Sequence, residues 1–289
     1  MVIFSMFTRD HVGNEMALII IFFEILLPGF YFATIWAYAK AFFSGSRAAD
    51  QIKTPLLFSL IALHGLYLLL RTIAFQHPPM TNVFELLSTI AFCVTLAYTY
   101  IEFRTKVSGT GYFILMLPFF FQLTSSLFIK DAIEVPEVLR SNLLAFHVTS
   151  ALLGYSSLTI AAVYGFLYLM LYHDIKSTGF GVIYKRLPNL EVLERMSFAG
   201  IAFGFLMLTV AIAVGILWLP RTGLEYSYTD PKLVGTFSIW LIYAAGLAAK
   251  KLVRWQGRKI IVLSMFGFAM AMFSMTIINM FFSEFHKFH

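Results

Sequence analysis

Eight apolar runs, each long enough to cross a bilayer, constrain this 289-residue chain more than any other feature. They lie at roughly 15–43, 54–75, 82–103, 110–129, 142–172, 197–219, 232–253 and 259–284. About 20 consecutive apolar residues span the hydrocarbon core as a helix. Each run is continuously apolar, without the in–out alternation of a membrane strand, so helices are expected rather than a barrel. The expected fold is therefore all-α: a polytopic membrane helix bundle of about eight transmembrane helices, forming one integral membrane domain over residues 1–289. Only 12% of residues are charged, and mean hydropathy is +0.81, so no long polar stretch is left for a separate soluble domain. No internal repeat is evident.

The charge pattern gives direction. Net charge is +6 and the sequence pI near 9.3. In a soluble protein that balance would suggest nucleic acid, but here the basic residues sit in particular loops. Fourteen of the 21 Lys and Arg residues fall on one set of alternate loops and helix ends, among them Lys53, Arg104, Lys176, Arg186, Lys250 and Arg258. The positive-inside tendency makes that set cytoplasmic and puts both termini outside. Segments 76–81, 130–141, 220–231 and the tail after Phe282 then share the outer face. The inner segment 187–196, LPNLEVLERM, reads as a short amphipathic helix on the membrane surface. Residues Met1 to Asn14 lack the charged start and cleavage site of a signal peptide. Cys93 is the only cysteine, which excludes a disulfide framework and a cysteine metal site.

Ionisable groups inside apolar helices are costly and mark partners or cavities. His147 lies near the outer end of the fifth run. Ser150, Ala151 and Gly154 beside it form a small-residue stripe that admits a neighbouring helix or a flat cofactor. His286 closes the last run, on one face with Asn279 and Ser283. Two neutral imidazoles on separate helices at one membrane face suit the axial positions of haem iron. Zinc is the other option, with His77 as a third ligand. In the second run His64 and Arg71 are seven residues apart and share a face. Arg71 can hold either Glu85 or an exogenous carboxylate. His64, near mid-membrane, reads equally as a ligand and as a packing residue. Glu24 precedes Pro28, whose ring frees a carbonyl nearby, and a packing bend with one buried hydrogen bond is expected there.

The run LLLRTIAFQHPPMTNVFELLSTIAF, residues 68–92, resembles the Arg…His-x-Pro-x-Ser/Thr-Asn-x-aromatic-Glu block of the CcsA/ResC-type cytochrome c assembly proteins. The matching positions are Arg71, His77, Pro79, Thr81, Asn82, Phe84 and Glu85. Phe146-His147-Val148 is similar to the start of the family helix that opens with an outward haem-ligand histidine. Asn279 and His286 resemble the family's closing segment, and Asp230-Pro231-Lys232 precedes the seventh run as it does there. The likeness covers about residues 54–289. It implies a haem-handling protein of cytochrome c biogenesis that binds haem b through His147 and His286 as metal ligands. Implied contacts are His64, Arg71, His77, Asn82, Glu85, Trp218, Tyr226, Tyr228, Asp230 and Lys232, with Arg71, Arg140 and Lys232 toward the propionates. No catalytic side chain is assigned.

The implied partners are a CcsB-type membrane protein and apocytochrome c, with no nucleic acid. The implied setting is a multi-pass protein of the cytoplasmic membrane, or of a thylakoid membrane. Two departures from the family pattern stand out. The loop before Asp230 keeps Trp218 but carries Tyr226 and Tyr228 in place of further tryptophans. Leu247 and Ala248 stand where synthase members carry a membrane histidine. Both departures resemble the HemX-like and YpjD-like branches. Two other readings follow from the residues: a haem-bearing electron-transfer subunit of a membrane redox complex, or a non-catalytic regulator.

Overall fold

The computed structural model describes residues 14–129, 142–178, 181–222 and 229–274. The described chain is helical, and seven of its helices are long and apolar enough to cross a membrane. It divides into two compact units, Met1–Arg140 and Ser141–His289.

The first unit holds α1 (Asn14–Ala39), α2 (Arg47–Phe75), α3 (Val83–Thr105) and α4 (Gly111–Phe128). α1 packs on α2 and α4, and α3 packs on α4. A π-helical turn, Lys40–Ser44, ends α1 and leads to a left-handed Gly45. α2 starts two turns before its apolar run because the Ser46 side chain accepts from Ala49 N and caps it. The core of α1 and α2 is Ile20, Phe23, Leu27, Tyr31, Leu60 and Tyr67.

Much of what joins these four helices is polar. The buried face of α3 carries Glu85, Ser88, Thr95, Thr99 and Glu102 along nearly its whole length. At the end remote from Glu85, Glu102 accepts from the Tyr38 hydroxyl at 2.8 Å, from Tyr98, and from Thr54 at 3.1 Å. Gly111 leaves room for this tyrosine pair, since a Cβ there would lie 2.4 Å from both Tyr38 and the Tyr98 hydroxyl.

The second unit holds α5 (Asn142–Lys176), a single turn α6 (Val182–Arg186), α7 (Leu190–Trp218), α8 (Pro231–Leu252) and α9 (Arg258–Phe273). The inner segment expected as a separate surface helix is corrected here. Asn189 caps α7 through Val192 N at 2.9 Å, so residues 190–196 are its first two turns and continue into the apolar run. The end of the eighth run, residues 275–284, lies outside the described residues.

Among the described helices, α5 and α7 share the most extensive packing. A Cβ on Gly204 would sit 2.7 Å from Leu158, and one on Gly154 would sit 3.1 Å from Leu208. The stripe after His147 therefore admits a helix: Gly154 faces Gly204 across it. Ser157 and Ser197 add hydroxyl bonds to Gly200 O and Ala161 O at 3.0 and 2.8 Å. Leu158, Ala161, Ile201, Leu208, Ile239, Tyr243 and Ala271 make the core of this unit.

Candidate functional site

In the first unit, the motif of residues 71–85 folds into a buried charge cluster. Arg71, 2% exposed, bonds Glu85 Oε1 through Nη2 at 2.9 Å and Glu24 Oε1 through Nη1 at 3.1 Å. The other Glu85 oxygen accepts from Thr81 N and Thr81 Oγ1, both at 2.8 Å. Asn82 caps α3 by accepting from Glu85 N at 2.9 Å. Asn82 thus satisfies one donor at the helix start, while the Glu85 carboxylate reaches back to Thr81 and ties the preceding loop to the helix. Thr89 bonds Pro79 O at 3.2 Å and pins the preceding loop. In that loop His77 is buried, with Nδ1 2.9 Å from Pro78 O. Glu85 is the internal partner expected for Arg71. Glu24, expected to make one buried hydrogen bond, is a second that sequence reasoning missed, and it pairs with Arg71 as an ion pair.

His64 lies deeper and is 1% exposed. Its Nδ1 is 3.0 Å from the Tyr31 hydroxyl and its Nε2 is 3.1 Å from Ser88 Oγ. Ser88 donates onward to Gln122 Oε1 at 2.7 Å. Ser88 therefore receives the Nε2 hydrogen, and Nδ1 accepts from Tyr31. Both ring nitrogens are engaged by the protein, as a packing histidine requires.

His147 is arranged differently. It is half-buried, on the second turn of α5, and its Nδ1 lies 2.7 Å from Ala211 O of α7. A carbonyl only accepts, so Nδ1 carries the hydrogen and the neutral ring has its lone pair on Nε2. Gly215 makes this possible, because a Cβ there would come within 3.0 Å of Nδ1 and 3.1 Å of Cε1. Metal-bound histidines are commonly oriented in this way, with the second nitrogen donating to a carbonyl. The donor set and the glycine cradle at His147 therefore fit a residue that would hold haem iron. Neither Ala211 nor Gly215 was legible as a site residue; a glycine one turn below an alanine in an apolar helix is an ordinary packing pattern.

Of the other expected residues, Trp218 ends α7 and is buried, and Asp230 precedes Pro231 at the head of α8, accepting Val234 N through its carbonyl at 3.0 Å. Proline at the first helical position suits this turn. Lys232 lies in the first turn of α8. Arg140, Tyr226, Tyr228 and His286 lie outside the described residues. Among the described residues, no three His, Cys, Asp or Glu side chains converge as a metal site.

Comparison with known proteins adds independent observations. Residues 25–286 match the family described as cytochrome C assembly protein. Relatives called cytochrome c biogenesis protein CcsA include that of Guillardia theta, 28% identical over 66% of this chain and 69% of its own length. That of Chlorella vulgaris is 26% identical over 82% and 86%. That of Pyropia yezoensis is 27% identical over 66% and 72%.

Proposed function

The chain belongs to the cytochrome c assembly protein family, with a role in cytochrome c biogenesis, and on that premise we propose that it holds haem b at the outer membrane face for attachment to apocytochrome c. The observation that carries this reading is the Nδ1–H···O=C bond from His147 to Ala211, which sets the ring's tautomer and direction. His286 is the second residue that would hold the haem iron. Bound haem supplies the iron and the vinyl groups with which cysteine thiols react; the protein's share is to hold and orient it.

Other residues take supporting roles. Arg71 acts as the clamp of the loop that bears His77, since its guanidinium is engaged by Glu24 and Glu85. Lys232 and Arg140 are then the propionate contacts, with Trp218, Tyr226 and Tyr228 as the apolar platform. A CcsB-type protein is the proposed membrane partner, in the cytoplasmic or thylakoid membrane. His64, with both nitrogens engaged, is structural, which counts against the two-haem electron-transfer reading.

Replacing His147 and His286 together by alanine and recording the pyridine haemochrome of purified protein tests the reading. Loss of haem is expected; unchanged haem per chain overturns it. His64→Phe should leave one haem per chain.

A further inference from the structure

On the inner, Lys- and Arg-rich end of the second unit, a cleft of about 340 Å³ lies between α5 and α9, lined by Leu169, Tyr172, His173, Lys176, Arg258 and Val262. Nothing in the proposed haem chemistry uses it. The α5 residues recur at three- and four-residue spacing, so they form one stripe, and Arg258 and Val262 are one turn apart on α9.

The two helices run in opposite directions, and their chemistry is matched in depth. Lys176 and Arg258 stand at the last turn of α5 and the first of α9; Leu169 and Val262 lie one to two turns deeper. The formal charges lining the cleft are all positive. A rise of about 1.5 Å per residue separates the cationic level from the apolar one by about 6–10 Å. Deeper still, Phe166 and Phe266 are exposed on the same two helices, so an apolar track continues toward the membrane interior.

The cleft is also built. Tyr168 and Tyr172 stack with ring centroids 6.3 Å apart and planes 11° from parallel. The Arg258 guanidinium lies 5.9 Å from the Tyr172 ring centre. Gly257, at φ +62, turns the chain into α9, and a Cβ there would come within 2.9 Å of the Tyr168 hydroxyl. Only glycine takes this backbone readily at such close approach. The turn therefore sets Arg258 against the tyrosine stack.

We propose that this cleft is a binding site for an anionic glycerophospholipid, with Arg258 and Lys176 holding the headgroup phosphate and Val262, Leu169 and the phenylalanines taking the acyl chain. Basic pockets between membrane helices at the cytoplasmic face recognise anionic headgroups by this chemistry. The cleft admits many water-sized groups at once. That is room for a phosphate with its glycerol, and a soluble phosphate would leave the apolar track unused. The site is independent of the haem reading.

Native mass spectrometry of the full chain, released from detergent with phosphatidylglycerol and phosphatidylcholine in equal amounts, tests the proposal. Wild type is expected to retain phosphatidylglycerol preferentially. The Arg258→Gln/Lys176→Gln variant should lose about twenty-five-fold in that preference, at roughly fivefold for the first cation and the same again for the second. Lys259→Gln, outside the cleft, should keep it, as a control for total charge. No preference in wild type, or an undiminished preference in the double variant, overturns the site. Displacement of the lipid by millimolar glycerol 3-phosphate overturns the lipid assignment in favour of a soluble phosphate.

Discussion

The two units solve the same problem with different cement. Lipid tails are as apolar as leucine, so helices in a membrane gain little from hydrophobic burial against each other and need close packing or polar contacts. The first unit uses polar contacts: Glu24–Arg71–Glu85 at one end, Tyr31–His64–Ser88–Gln122 in the middle, and Tyr38–Glu102–Tyr98 at the other. The second unit uses close approach, with Gly154, Gly200 and Gly204 bringing α5 and α7 backbones together. The difference bears on the candidate site. In the first unit, internal partners engage both terminal nitrogens of Arg71 and both ring nitrogens of His64. In the second, a backbone carbonyl of α7 turns the His147 ring through its Nδ1.

The contrast can be broken at its strongest point first. Arg71→Met leaves two buried carboxylates without their cation, and should cost about 3–5 kcal/mol. Thermal unfolding in detergent reads this, and adding Glu24→Gln with Glu85→Gln should recover much of the loss. If the single variant unfolds like wild type, polar cement does not hold the first unit. Next, Gly204→Val forces a branched side chain onto Leu158 and should cost about 1–3 kcal/mol. Leu158→Ala on that background should relieve part of it; a neutral Gly204→Val would mean that close packing is dispensable.

His64→Phe removes one buried hydrogen bond each from Tyr31 and Ser88, which keep Thr95 and Gln122, and should cost about 1–3 kcal/mol with haem content unchanged. A drop in haem there would move His64 from packing to ligation. Asn82→Ala removes the α3 cap for about 1 kcal/mol, measurable as a small fall in melting temperature. The smallest stability change is expected for Gly215→Ala, which displaces the His147 ring. Its signature is spectroscopic: a shifted Soret band and less haem per chain, against a nearly unchanged unfolding curve.

Legibility in the sequence followed the range of the physics. The apolar runs foretold α1, α3, α4, α5 and α8 closely, because span length is a local property. The starts of α2 and α7 were misplaced because caps at Ser46 and Asn189 extend helices into polar sequence, which a hydropathy window discounts. The pairing of Arg71 with Glu85 was readable from fourteen residues of spacing, whereas Glu24 lies 47 residues away, and only packing brings it near. His147 stood out as an ionisable group in an apolar run, but the atom it offers depended on Ala211, 64 residues on.

The sequence by itself determined that this chain lives in a bilayer, that it crosses as helices, and which histidines merit attention. Each of those follows from the transfer cost of single residues and from short-range periodicity. Tertiary structure alone decided which polar groups pair with one another and which way the His147 ring is turned. That depends on side chains tens of residues apart meeting within about 3 Å, as hydrogen bonds require, and no local pattern encodes such a meeting.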